Sequence, residues 1–488
     1  MAGKAGLTHA GYIGGAWDRD VRRKGTKMEE KIMMPRLLLG APGSGSGKTM
    51  LTMGLLAAFA KRGLRPFAFK CGPDYIDPMF HTRVIGAPAK NLDGYFTGEE
   101  TTRMLFGESF AGQTCDLALI EGVMGYYDGA GLCTDRGSSF ELARTLLAPA
   151  VLVVDARGLG QSVLALVEGF VRHRADSRIA GVVFNRMSAR VYEVIEQQVR
   201  AHGIRPLGYV PVLSGMELKS RHLGLVTPGE LSDLRGYVDE LAQAVEQTVD
   251  LDGLLALAGS APALAWEKRE LPRLSKPLRV SVARDEAFCF LYEDNLRYLR
   301  GIGAELSFFS PLRDERLPER TDVLLFPGGY PELYAGRLSE NSRMRSAVRS
   351  ALEGGAFVLA ECGGFLYLTK ELADLDGKAY PMVGWIDARS FRTERPGRFG
   401  YVELTPNGGG EGIRGHEFHY YDTTGNGWDF TAKKPFRDIS WTCMHASVRG
   451  LAGFPHLYYY SNPAFLAERL EAFISVDNEE KSHACMDI

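Results

Sequence analysis

The chain has 488 residues, a formal net charge of −3, 45% hydrophobic and 24% charged residues. That length supports two or three domains with ample cores, and the near-neutral charge gives no electrostatic case for nucleic acid. Seven cysteines, odd in number and without a CxxC pair, argue against a disulfide framework or a zinc site and fit a reducing cytoplasm. No run approaches the ~20 apolar residues of a membrane span.

Residues 1–34 are rich in Gly, Lys and Arg and lack a continuous apolar core for secretion; they are expected to be a disordered extension. The stretch LLLGAPGSGSGKT at 37–49 then runs from an apolar strand through a Gly/Ser loop into an apolar-periodic helix over 50–62. That order is what makes a phosphate loop credible, because loop N–H groups and the helix N-terminus surround phosphate oxygens with donors. Gly43, Ser44, Gly45, Ser46 and Gly47 form the cradle, Lys48 reaches the β/γ-phosphates, and the Thr49 hydroxyl binds Mg²⁺. Pro42 stands where the strict pattern has Gly, so this is a variant loop.

Strand and helix patterns alternate onward. Strands are expected at 66–70, 116–120, 150–154 and 181–184, with helices at 138–147 and 163–172 between them, and the rhythm continues to Pro211. Such alternation implies βαβ units and a mostly parallel sheet, with ligands at the carboxyl ends of the strands. Glu121 ends one strand and is a candidate Mg²⁺ ligand, and the Gly-rich EGVMGYYDG it opens implies close approach by another group. Lys70, Asp74, Asp77 and Asp128 cluster in the same loops; Asp74 and Asp77 are either turn-formers beside Pro73 and Pro78 or carboxylates aimed at a reacting phosphate.

The motifs GSGSGKT at 43–49, KCGPDYIDP at 70–78, EGVMGYYDG at 121–129 and RHLGL at 221–225 resemble the cobyrinic acid a,c-diamide synthase family. With the C-terminal motifs below, the resemblance covers about residues 35–475. It implies an N-terminal domain similar to dethiobiotin synthetase, and an ATP- and Mg²⁺-dependent ligase that amidates the a- and c-acetates of a corrin precursor with nitrogen from glutamine. By position it implies that Lys48 and Thr49 bind triphosphate and metal, joined by Glu121. Asp74, Tyr75, Asp77 and Asp128 are implied near the reacting carboxylate and Asn185 against adenine. Arg221 and His222 are candidates for the substrate's carboxylates. A homodimer is the assembly the family suggests.

Residues 226–277 change character, with an amphipathic helix over 228–249 followed by an Ala/Leu/Pro-rich stretch, and are read as an inter-domain connector. The βα rhythm restarts at 278. A strand at 323–326 runs into PGGYPE, and another at 357–360 ends abruptly in Glu361-Cys362-Gly363-Gly364. A cysteine on a sharp strand-to-helix turn has the geometry of a nucleophile elbow. The following helix N-terminus is expected to lower the thiol pKa, with N–H groups at Gly363 and Gly329 holding an oxyanion. Cys362 thus resembles the class I glutaminase nucleophile.

Its base could be His416, His419, His445 or His456, and spacing does not choose. In GHEFHY at 415–420, alternation would put His416, Phe418 and Tyr420 on one strand face. The segment HLYYYSNP at 456–463 resembles the family's terminal stretch, which implies His456 as the base. Many class I glutaminases carry Glu two residues later to orient the His; this chain has Tyr458, so the orienting group is unnamed.

The expected architecture is therefore two three-layer α/β domains: a P-loop NTPase with a mostly parallel sheet over 35–225 and a class I glutaminase-like, flavodoxin-like domain over 278–475, with a tail at 476–488. The partners are a corrinoid, ATP and L-glutamine, with no nucleic acid or membrane. Two rivals stand beside this reading. A partitioning-type switch ATPase would carry a lysine early in the loop, where this chain has Gly43. The same chemistry could also serve hydrogenobyrinic acid or nickel-sirohydrochlorin.

Overall fold

The structure is a computed structural model and describes residues 29–131, 133–213 and 228–486. Its first strand, β1 (Glu29–Ile32), pairs antiparallel with Leu264–Glu267. The end of the expected N-terminal extension is therefore an ordered strand, tied down by residues more than 230 positions away. Met34 is buried while Met33 is exposed.

The first sheet is assembled from β2 (Arg36–Gly40), α1 (Lys48–Lys61), β3 (Pro66–Cys71) and α2 (Ile76–Phe80). There follow β4 (Ala89–Leu92), α3 (Gly94–Glu108), β5 (Leu117–Glu121) and α4 (Ser139–Thr145). The unit continues through β6 (Ala150–Asp155), α5 (Ser162–His173), β7 (Ile179–Asn185), α6 (Ala189–Ala201) and β8 (Pro206–Val210). The strand order is β4-β3-β5-β2-β6-β7-β8, and every neighbouring pair is parallel. Both faces are covered, so β2 and β5 are buried at every residue and read as continuous apolar runs. Chain direction branches at β2, which places the loop after it at the topological switch point where ligands bind.

The residues read as a connector are part of this unit. In α7 (Pro228–Thr248), Val238, Leu241 and Val245 pack onto α1, and α8 (Leu251–Gly259) caps the same layer. This explains why α1 buries Leu51, Met53, Leu55, Leu56 and Phe59 rather than a single stripe: it is sandwiched between sheet and α7. The chain then forms β9 (Leu264–Glu267), the partner of β1. Arg36, wholly buried, ties these pieces together by donating to the carbonyls of Met34, Leu146 and Pro262.

The second unit begins with β10 (Arg279–Ala283), α9 (Glu293–Ile302), β11 (Glu305–Phe309) and β12 (Val323–Phe326). It continues with α10 (Ala335–Glu340), α11 (Ser342–Glu353), β13 (Phe357–Glu361) and α12 (Gly363–Leu368). Beyond α12 the chain turns to strands, a region in which the sequence reading marked only the strand at 415–420. These are β14 (Thr369–Ala373), β15 (Ala379–Pro381), β16 (Ile386–Arg392), β17 (Phe399–Pro406) and β18 (Ile413–Phe418). Then come β19 (Tyr421–Thr423), β20 (Phe430–Lys433), β21 (Ser440–Cys443), β22 (His445–Ser447), β23 (Gly450–Gly453) and β24 (His456–Leu457).

The central sheet has the order β11-β10-β12-β13-β23-β22, with β22 alone antiparallel to its neighbour. Its parallel part has the flavodoxin-like order. A mixed sheet, β15-β14-β16-β19, in which β14 and β16 run parallel, and an antiparallel one, β21-β20-β17-β18-β24, complete the unit. The final helix α13 (Pro463–Met486) runs through most of what was expected to be a tail.

The two units share one apolar cluster. Phe96 stacks on Tyr458 at 5.0 Å, Tyr95 meets Tyr401 at 4.4 Å, and the Tyr401 hydroxyl donates to Asp93 at 2.8 Å. Lys90 pairs with Asp294 at 3.0 Å.

Candidate functional site

Strand β2 delivers the chain into the phosphate loop, and α1 leaves it. Gly47 adopts φ 96°, a left-handed conformation that costs glycine little. A Cβ there would also run into the Asn185 carboxamide. Asn185, at the carboxyl end of β7, donates to the Ser46 carbonyl at 3.0 Å, while its Oδ1 is buried and makes no hydrogen bond. Lys48 folds back over the loop, donating to the carbonyls of Met124 at 2.6 Å and Gly43 at 3.2 Å. Burial lowers its ammonium to about 8, against the pull of Glu121. Ser46 closes the loop on the Gly43 carbonyl at 2.9 Å, and Ser44 is exposed.

Beside this loop lies a charged cluster. Lys70, at the end of β3, touches Asp77, lies 2.7 Å from Glu121 and 3.6 Å from Asp74. The Thr49 hydroxyl donates to Glu121 and lies 3.4 Å from Asp77. Burial alone would neutralise these groups, but Lys70 and His81 hold the Glu121 carboxylate well below the usual range, and the three carboxylates keep Lys70 charged. Asp77 is the member that yields: burial and its acidic neighbours push it up to about 8. His81, which sequence reasoning missed, places Nε2 3.5 Å from Glu121 Oε2. It follows Asp77 by four residues where α2 passes into a π-turn, so an i, i+4 reading of KCGPDYIDPMFH could have found it.

The set Thr49, Asp77 and Glu121 is all oxygen, which suits Mg²⁺, and Glu121 Oε2 is buried without a hydrogen bond. No group of three His, Cys, Asp or Glu stands ready for a metal among the described residues. Sparse protein ligation fits a Mg²⁺ that is completed by phosphates and water.

The EGVMGYYDG segment lies against the phosphate loop strand: Gly122 N–H donates to Leu39 at 2.9 Å and Tyr126 N–H to Ala41 at 2.7 Å. Asp128, expected near the reacting carboxylate, is exposed and accepts from Gly125 N–H at 3.0 Å. Here it closes a turn. Asp74 likewise accepts from the Ile76 N–H at 2.8 Å, as a turn-former does, and also lies 3.6 Å from Lys70. Arg221 and His222 lie outside the described residues.

Tyr75 departs most from expectation. Its ring is turned away from Lys70 and into the second unit, stacked on Phe290 at 5.0 Å and 5° and set 5.6 Å from His416 and 5.4 Å from His456. One short motif thus lines the charged cluster with Lys70, Asp74 and Asp77 and reaches the second site with Tyr75.

That second site forms at the carboxyl end of β13. Cys362 has φ 47° and ψ −108°, a strained elbow between β13 and α12. A Cβ on Gly363 would meet the Gly329 backbone nitrogen, so the two residues expected to offer oxyanion donors lie side by side. His456 packs over Gly328, where a Cβ would collide with the imidazole. Its partner in β18 is His416, and the two rings stack at 4.8 Å and 16°. His416 Nδ1 lies 3.3 Å from the Tyr292 hydroxyl. His419 instead bonds Glu417 at 2.9 Å, and His445 contacts the Gly425 carbonyl at 3.1 Å.

The expected strand face of HEFHY is cut short, because β18 ends at Phe418 and Tyr420 lies beyond it; His416 and Glu417 are buried while Phe418 and Tyr420 are exposed. The expected lowering of the thiol pKa is also reversed. Burial pushes Cys362 up and, with His416 and His419, pushes His456 down, so both groups are driven toward their neutral forms. Tyr458 donates to Asp294 at 3.1 Å and supports the domain interface.

Residues 38–226 match the CobQ/CobB/MinD/ParA nucleotide binding domain, and residues 279–437 match the CobB/CobQ-like glutamine amidotransferase domain. A cobyrinate a,c-diamide synthase of Caldanaerobacter subterraneus subsp. tengcongensis is 39% identical over 429 residues, covering 86% of this chain and 94% of the relative. One from Listeria innocua is 37% identical over 453 residues, covering 90% and 99%, and one from Salmonella typhimurium 36% over 449 residues, covering 89% and 97%. With both domains matched and near full-length similarity, the chain belongs to the cobyrinate a,c-diamide synthase family.

Proposed function

We propose that the chain is an ATP- and glutamine-dependent ligase that converts the a- and c-acetate carboxylates of cobyrinic acid into amides. The observation that carries this reading is the pair of sites in one chain, a phosphate loop with an oxygen-lined cluster and a buried Cys362–His456 elbow, with Tyr75 reaching from one to the other. A switch ATPase has no use for the second site, and Gly43 replaces the lysine such a switch would carry.

In the first unit, Gly43 to Gly47 cradle the triphosphate and Asn185 offers its free Oδ1 to the adenine amino group. Mg²⁺ held by Thr49 and Glu121 would neutralise phosphate charge. Lys48 exchanges the Met124 carbonyl for phosphate oxygens, and Lys70, held by Asp74 and Asp77, steadies the incoming corrin carboxylate. A carboxylate oxygen attacks the γ-phosphorus, ADP leaves, and an acyl phosphate results. In the second unit, Cys362 Sγ attacks the glutamine carboxamide while His456 takes the thiol proton and returns it to departing ammonia. The N–H groups of Gly329 and Gly363 hold the oxyanion, each worth ~2.7–4 kcal/mol in analogous sites. Water then frees glutamate from the thioester, and ammonia displaces phosphate from the acyl phosphate.

The test is product mass after incubation with ATP, Mg²⁺ and cobyrinic acid, with glutamine or ammonium as nitrogen source. Two added amides with glutamine support the reading. No amide with either source overturns the substrate assignment and directs the assay to hydrogenobyrinic acid and nickel-sirohydrochlorin.

A further inference from the structure

Where many class I glutaminases carry an orienting Glu, this chain has Tyr458, whose hydroxyl is committed to Asp294. His456 Nδ1 is nevertheless buried, makes no hydrogen bond, and faces one carboxylate: Glu361 Oε2, 3.8 Å away. Glu361 is the last residue of β13, directly before the nucleophile, and is itself buried. Its other oxygen accepts the Leu457 N–H at 3.2 Å, so one carboxyl group spans the backbone of β24 and the ring it carries.

Building on the glutaminase reading of this site, we propose that Glu361 is the positioning residue of His456, accepting Nδ1–H and leaving Nε2 to exchange the Cys362 proton. A carboxylate on Nδ1 fixes the tautomer and stabilises the imidazolium formed when the thiol is deprotonated. The surroundings make this partnership strong. Tyr75, Tyr292 and Tyr459 approach Glu361, and His416 and His419 approach His456; none of these supplies a fixed opposite charge. Burial pushes Glu361 up to about 8 and His456 down, so each ionises readily only when the other does. The glutaminase would then rise with pH through an acid limb that belongs to the pair.

The experiment compares wild type, Glu361→Gln and Cys362→Ser in glutamine hydrolysis across pH, with ammonium-dependent amide synthesis as the control for an intact fold. Glu361→Gln is expected to lower glutaminase kcat by roughly 10²-fold, leave the glutamine KM within about threefold, and move the acid limb by half a pH unit or more. An unmoved limb, whatever the kcat, overturns the proposal, because a merely structural Glu361 would not set it. Should Glu361→Gln lose the ammonium-dependent reaction as well, Glu361→Asp decides by the same limb: shifted supports, unshifted overturns. If Cys362→Ser still hydrolyses glutamine, the glutaminase reading itself fails, a result separate from any behaviour of Glu361.

Discussion

The two sites handle charge in opposite ways. In the first, Lys70 stays charged among Glu121, Asp77 and Asp74, and Lys48 is parked on the Met124 carbonyl. In the second, Cys362, His456 and Glu361 are all driven toward their neutral forms by burial. A site that receives a highly charged nucleotide can hold its charges in reserve by pairing them internally, because the ligand replaces each partner with a phosphate or metal. A site that receives a neutral amide gains from a dry, neutral resting state in which charge appears only during the reaction. The first can be charged before its ligand arrives; the second becomes charged because of it.

Four experiments press on this contrast. Cys362→Ser should lower glutamine-dependent amidation by ~10⁴-fold or more and leave ammonium-dependent amidation near wild type, measured by product mass; equal loss with both nitrogen sources would mean the sites are not separable. Lys48→Ala should do the reverse, lowering amidation ~10²–10³-fold with either source while glutamine hydrolysis persists, and removal of Mg²⁺ with a chelator should copy it.

Lys70→Met should leave Glu121 and Asp77 buried without their cation and destabilise the first unit by about 3 kcal/mol, read as a lower Tm. The smallest effect is on pH. Glu361 is raised from its ordinary value to about 8, so the folded state keeps a proton that the unfolded chain releases above about 4.5. Its contribution to stability is full below that pH and is lost as pH rises to about 8, at up to about 1.4 kcal/mol per pH unit. Glu361→Gln should flatten that decline in denaturation curves, and an unchanged slope would show that Glu361 ionises freely in the folded protein.

Much of the first site was legible because its parts are contiguous. GSGSGKT, KCGPDYIDP and EGVMGYYDG each carry several of its residues, and a parallel sheet brings strand ends to one edge. His81 escaped only because the reading stopped at Pro78. The connector was misjudged because an amphipathic helix shows that it packs, not where: α7 covers α1 instead of bridging the two units. The second site was half legible. The elbow at Cys362 is written in its flanking glycines, but His456, His416 and Glu361 meet only through the pairing of β18 with β24 and of β13 with β23.

The sequence by itself determined the two α/β units, the phosphate loop, the elbow at Cys362 and the family resemblance, since each is encoded within a run of a few residues. Only the tertiary structure decided that Glu361 faces His456, that β1 and β9 close the first unit, and that Tyr75 points across the interface. Those outcomes depend on side-chain direction and on strand pairing between distant segments, which local propensity does not specify.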